Sequence, residues 1–206
     1  GAGFKIAALD LELRGAGNLL GGEQSGHIDA IGFEMYTSML ERTVRELKGE
    51  VEAEEAEIQL NLGLNIRIPN EYIPQENQRL RMYKRVAGVE TDQQLQDVSS
   101  ELTDRYGEPP APVRNLLEYA TLKLLCKCIG VVGIDRHRDT VNVKFGENPA
   151  IDPEKLMRFV AQKKGANFSP QGVLKFTLVA SSADQVLSGL RTALEGLAAA
   201  PQEVKV

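Results

Sequence analysis

An α+β fold is predicted for this 206-residue chain: an N-terminal helical hairpin with a glycine-rich loop, then a small mixed α+β domain. Three observations predict it. Apolar residues at helical spacing flank a glycine-dense stretch near the N-terminus. Six apolar residues then alternate over 58–68, the period of a half-buried strand. Beyond them, helical and strand patterns mix without a repeated βαβ rhythm.

The first unit covers residues 1–49. Phe4, Ala7, Ala8 and Leu11 fall on one helix face. Glycines at 15, 17, 21, 22 and 26 interrupt any long regular helix after Arg14. Periodicity returns with Phe33, Tyr36, Leu40, Val44 and Leu47, and Gly49 suits a C-terminal cap. Residues 50–57 read Glu-Val-Glu-Ala-Glu-Glu-Ala-Glu, an acidic run expected to be a linker.

The α+β domain is expected over 58–206. Ile58, Leu60, Leu62, Leu64, Ile66 and Ile68 predict one strand, closed by Pro69-Asn70. Leu80, Tyr83 and Ala87 predict a helix near 76–87. Thr91 and Gln94 form a capping box for a helix carrying Leu95, Val98 and Leu102 to Gly107. After the rigid turn at 109–112, Val113, Leu116, Leu117, Ala120 and Leu124 predict a helix ending at Gly130. Two strand pairs, each followed by a helix, are expected in the remainder. The first flanks a turn at His137-Arg138-Asp139. Asp152-Pro153 then caps a helix whose Leu156, Phe159 and Val160 face inward. Leu174, Phe176 and Leu178 alternate in a last strand. Ser182 caps a final helix with Val186, Leu190, Ala193 and Leu197.

Composition excludes some functions. A net charge of −5 argues against a free-standing nucleic-acid-binding domain, which ordinarily carries a basic face. The chain has two cysteines, Cys126 and Cys128, and two histidines, His27 and His137. C-x-C is no disulfide framework, so a reducing, cytoplasmic setting is expected. On a helix the two thiols point about 200° apart and cannot share a metal, so both are expected as buried thiols. No apolar run approaches the ~18 residues of a bilayer span. The start at Gly1-Ala2-Gly3, without an initiator Met, reads as a cut inside a longer polypeptide. No phosphate loop, nucleophile elbow or metal-spaced histidine pair is present, so no catalytic residue, metal or cofactor is assigned to this chain.

Three constellations stand as candidate sites. Arg81, Lys84 and Arg85, beside Arg79 and Tyr83, form a basic face suited to a phosphate or an acidic partner. Glu101 and Asp104 share a helix face three residues apart. They suit a contact to arginines, or, as an alternative, an acid/base pair of a hydrolase. Arg14 and Gln24 lie on either side of the glycine-rich reversal. A guanidinium and an amide there suit a lever that touches another domain.

Residues 3–21 (GFKIAALDLELRGAGNLLG), with Glu23-Gln24-Ser25-Gly26, resemble the "translocation in RecG" motif of RecG helicases and of the bacterial transcription-repair coupling factor. Gly32-Phe33-Glu34-Met35-Tyr36, Arg67-Ile68-Pro69, Tyr72-Ile73-Pro74, Arg79-Leu80 with Tyr83-Lys84-Arg85, and Glu101-Leu102 with Asp104-Arg105-Tyr106-Gly107 resemble the C-terminal part of the coupling-factor family. Residues 1 to about 130 carry the resemblance; over 131–206 only element order matches.

The resemblance implies a parent that is an ATP-driven double-stranded DNA translocase, with ATP and Mg bound upstream. It would displace stalled RNA polymerase and recruit UvrA. Residues 1–49 would close the second motor lobe, with Arg14 and Gln24 coupling hydrolysis to DNA movement. The domain over 58–206 would act as a brake, packing Glu101 and Asp104 against arginines of a UvrB-like module of the same chain and hiding the UvrA-binding surface. An independent nucleic-acid-binding module, built on Arg79, Arg81, Lys84 and Arg85, is the alternative.

Overall fold

A computed structural model of the chain describes residues 58–199. The expected hairpin over 1–49, with Arg14 and Gln24, and the acidic linker over 50–57 lie outside the described residues. The described part is α+β, with five helices and one mixed five-stranded sheet. It divides into two compact units. One holds residues 64–121; the other holds 58–63 and 122–199.

The first unit is helical. It opens on an extended segment, 64–68, in which Ile66 and Ile68 are fully buried. A turn follows, in which the amides of Tyr72 and Ile73 donate to the Pro69 carbonyl. Helix α1 spans Glu76–Ala87 and buries Met82, Tyr83 and Val86. Helix α2 spans Asp92–Tyr106 and buries Leu95, Val98 and Leu102, as their spacing predicted. Thr91 caps it, its hydroxyl accepting from the Gln94 amide at 3.2 Å. The Gln94 side chain reaches back to the Glu90 amide at 2.8 Å, one residue before the cap. Gly107 ends α2 at φ +84°, a left-handed conformation that glycine adopts without steric cost. Helix α3 spans Ala111–Ile129; its residues to Thr121 belong to this unit and those from Leu122 to the next.

The second unit is built on the sheet. Its strands are β1 (Gln59–Asn61), β2 (Val131–His137), β3 (Thr140–Phe145), β4 (Asn167–Phe168) and β5 (Val173–Thr177), in the order β1-β2-β3-β5-β4. Only β1 with β2 is parallel. A two-residue turn at Arg138-Asp139 joins β2 to β3, with Arg138 at φ +55°. Helix α4 spans Pro153–Gln162, and helix α5 spans Ala183–Glu195. Asp152 caps α4 by accepting from the amides of Glu154 and Lys155, with Pro153 in the first turn, as expected. Val141, Val143, Leu174 and Phe176 form the inward face of the sheet, and Val186, Leu190, Leu194 and Leu197 are buried from the α5 side.

Several local expectations are corrected. The strand predicted over 58–68 shrinks to Gln59–Asn61. The burial alternation holds at Leu60, Leu62, Ile66 and Ile68, but alternation reports burial, and a strand also needs a ladder partner. Gly63, at φ +68°, breaks the run. Past it, the Ile68 amide donates to the buried Tyr83 hydroxyl instead of to a strand. His137 is the last residue of β2, paired with Thr140, and not part of the turn. Phe159 and Val160 are half-buried. Leu178 lies past the end of β5, and Ser182 makes no side-chain cap bond; the Gln185 side chain accepts from the Ser181 amide instead. Of the two thiols, Cys126 is buried and Cys128 is exposed, since their divergence on α3 lets only one face inward.

Candidate functional site

Amphipathic patterning of α1 and α2 buries one face of each helix and leaves charged residues at the rim. Glu101 and Asp104 lie on α2, and Arg81, Lys84 and Arg85 on α1. The structure brings the two sets together at one point. One carboxylate oxygen of Glu101 accepts from Arg105 Nη1 at 2.8 Å, an i,i+4 pair on α2. The other is paired with the Arg85 guanidinium across from α1. Glu101 thus sits between two arginines, its side chain 24% exposed.

The frame around this clamp is fixed by tyrosines. Tyr106 Oη donates to Gln78 Oε1 at 2.6 Å, joining the end of α2 to the start of α1. Tyr72 Oη lies 2.8 Å from the Gly107 carbonyl and 3.0 Å from that of Leu102. The Tyr72 and Tyr106 rings meet at 5.9 Å between centroids. Arg105 lies 5.4 Å over the Tyr106 ring while it holds Glu101, so its guanidinium is doubly placed. Burial, then the charge of Glu108 and the proximity of Tyr106, raises the Tyr72 hydroxyl above the usual tyrosine range. That phenol stays protonated at neutral pH and keeps its donor.

Asp104 is exposed one turn along from Glu101. Arg81 is also exposed, and Lys84 is half-buried and engaged. Arg79, grouped with them by sequence, is not part of the surface. It is 6% exposed, and its Nη1 donates to the carbonyls of Ile73 and Pro74 at 2.8 and 2.9 Å. The basic face is therefore smaller than its sequence count. With Arg79 buried and Arg85 paired with Glu101, less of the cluster is open to a partner. The arrangement is one half-buried carboxylate shared by two guanidiniums, with a second, exposed carboxylate one turn along.

Sequence reasoning missed Arg105 as a site residue. The Glu-to-Arg spacing of four on one helix was the available signal. Among the described residues, no group of three or more His, Cys, Asp or Glu is placed to hold a metal ion. No helix among them is long and apolar enough to cross a membrane.

Comparison with known proteins bears on this site. The TRCF domain family model matches residues 62–156, which include α1, α2 and the clamp. The transcription-repair-coupling factor of Staphylococcus haemolyticus is 44% identical over 133 residues, 64% of this chain and 11% of that protein. That of Haemophilus influenzae is 36% identical over 191 residues, 89% of this chain and 16% of that protein. That of Escherichia coli is 33% identical over 202 residues, 95% of this chain and 17% of that protein. The chain thus spans about a sixth or less of the length of these relatives. A crystal structure of the C-terminal domain of transcription-repair coupling factor shares the fold. Its TM-score is 0.59 at 19% identity, covering 70% of this chain and 93% of that one.

Proposed function

The chain belongs to the transcription-repair-coupling factor family, and from that membership we propose that it is the regulatory C-terminal portion of an ATP-driven DNA translocase serving transcription-coupled repair. On this reading the surface around Glu101 and Asp104 docks on arginines of a UvrB-like module of the same polypeptide. Docking holds the motor back and covers the surface that binds UvrA. Arg14 and Gln24 couple ATP hydrolysis in the motor lobes to movement on double-stranded DNA. RNA polymerase is engaged by other parts of the full-length protein.

The observation that carries the proposal is the Glu101 clamp. A carboxylate held by Arg85 and Arg105 already has its charge partnered within the domain. An incoming arginine can take the place of one of its partners at little net cost, because exposed ion pairs are worth only about 0–1 kcal/mol each. Asp104 supplies a second carboxylate that needs no exchange. A contact built this way can be closed by high effective concentration within one chain and opened by a competing partner. A catalytic role for the Glu101–Asp104 pair finds no support here, since Glu101 is spanned by two guanidiniums.

The test is DNA-dependent ATP hydrolysis by the full-length protein carrying Glu101→Arg and Asp104→Arg. Release of the restraint should raise the rate and expose UvrA binding in a pull-down. An unchanged or lower rate, with the fold intact by circular dichroism, would remove the regulatory reading.

A further inference from the structure

Helices α4 and α5 leave an open groove of about 730 Å³ in the second unit, lined by residues to which no role is assigned above. Its charged lining is one-sided: Lys155, Arg158 and Lys163 contribute, and no carboxylate does. Each cation is held differently. Lys155 Nζ donates to the Ala198 carbonyl at 2.7 Å. Lys163 Nζ lies 4.6 Å from the Phe176 ring centroid and 5.2 Å from that of Phe159. Those rings meet edge to face at 5.3 Å and carry the ammonium on their π surfaces. Arg158 is exposed.

Partial burial without a counter-ion has a consequence at Lys163, whose ammonium is held below its ordinary pKa by desolvation. An anion in the groove would relieve that cost. The remaining lining is mixed: Phe159, Leu178 and Val179 are apolar, and Gln162, Gln185 and Thr192 are polar. Val179 also lines the groove and is 80% exposed, so its side chain is open to contact by an occupant.

We propose that this groove is a docking site for an acidic peptide segment of a partner protein, with its carboxylates on Lys155, Arg158 and Lys163 and an apolar side chain against Val179. Charge complementarity selects the occupant: three cations and no carboxylate line the groove, on a chain whose net charge is −5. The exposed valine and the phenylalanine edge favour peptide over nucleic acid. A phosphodiester backbone would use the cations but gain nothing from Val179. The site is independent of the Glu101 surface, so either proposal can fail alone.

The probe is a fluorescein-labelled peptide of alternating glutamate and leucine, titrated against the chain at physiological salt, with a labelled DNA duplex of matched charge in parallel. Saturable peptide binding is expected. Arg158→Glu should weaken it about tenfold, the scale of one lost close charge pair. Val179→Ser should weaken the peptide and leave the duplex unaffected. Both positions are exposed, so both variants should keep the wild-type circular dichroism spectrum and melting point. Glu101→Arg should bind the peptide as wild type does. Absence of saturable binding, or equal affinity in Arg158→Glu, overturns the proposal. Duplex binding as tight as peptide binding, with Val179→Ser silent on both, would overturn it in favour of a nucleic-acid groove.

Discussion

The charged face of α1 and α2 and the groove between α4 and α5 place arginine and lysine in opposite settings. On the first, two guanidiniums close on one carboxylate, so each cation has an acidic partner. In the second, cations are held by a carbonyl oxygen and by aromatic faces, and their charge is left uncancelled. The same side-chain types are therefore held in reserve in one place and presented in the other. What differs is the neighbour that the fold supplies. In the helical unit, the next helix brings an acid. In the sheet unit, the sheet brings Phe176 from β5 beneath Lys163.

If that comparison is right, the two regions should break in different ways. The largest effect is expected at Phe176, which is buried at 1% exposure and forms the floor of the Lys163 site. Phe176→Ala should cost about 3–5 kcal/mol of stability in urea unfolding. A cost near zero would mean that the aromatic floor does not hold the groove. The helical unit should respond more mildly to a polar deletion. Tyr83→Phe leaves the buried Ile68 amide without its acceptor and should cost about 1–3 kcal/mol. No change would show that the extended segment over 64–68 finds its hydrogen bonds elsewhere.

The smallest effect is a slope. The folded pKa of Lys163 lies below the ordinary 10.5. Between that lowered value and 10.5 the unfolded chain holds a proton that the folded chain has released. Stability from this group therefore rises with pH across that window, and its cost is fully present below it. Lys163→Met should flatten that alkaline rise, measured as the urea midpoint against pH. An unaltered slope would mean that the aromatic rings fully compensate the lost hydration.

Much of the fold was legible because its signals are local. Thr91, Asp152 and Gly107 act within a turn of their own helix, so each marked a boundary correctly. The i, i+3, i+7 spacing of Leu95, Val98 and Leu102 placed the buried face of α2 for the same reason. Ser182 shows the limit: it sits at the cap position without a side-chain cap bond, and the Gln185 side chain accepts from the Ser181 amide.

The candidate site was half legible. Glu101 and Asp104 were found as a helix-face pair, and Arg81, Lys84 and Arg85 as a basic face. That Arg85 would neutralise Glu101 was not readable, since it depends on how α1 meets α2. Nor was the burial of Arg79, whose partners are the carbonyls of a loop five and six residues away.

By itself, the sequence determined the α+β class, the helices and their inward faces, and which residues carry charge at the rims. These follow from propensity, capping and periodicity, which act over a few residues. Tertiary structure alone decided that β1 pairs in parallel with β2, that Asn61 Nδ2 donates to Asp135 Oδ1 across 74 residues, and that Glu101 is shared while Lys163 is not. The first two join groups far apart in the chain, and the last depends on which element is packed alongside. Their cost in chain entropy is repaid only by the whole packed unit, and no local pattern records which distant partner the packing will bring.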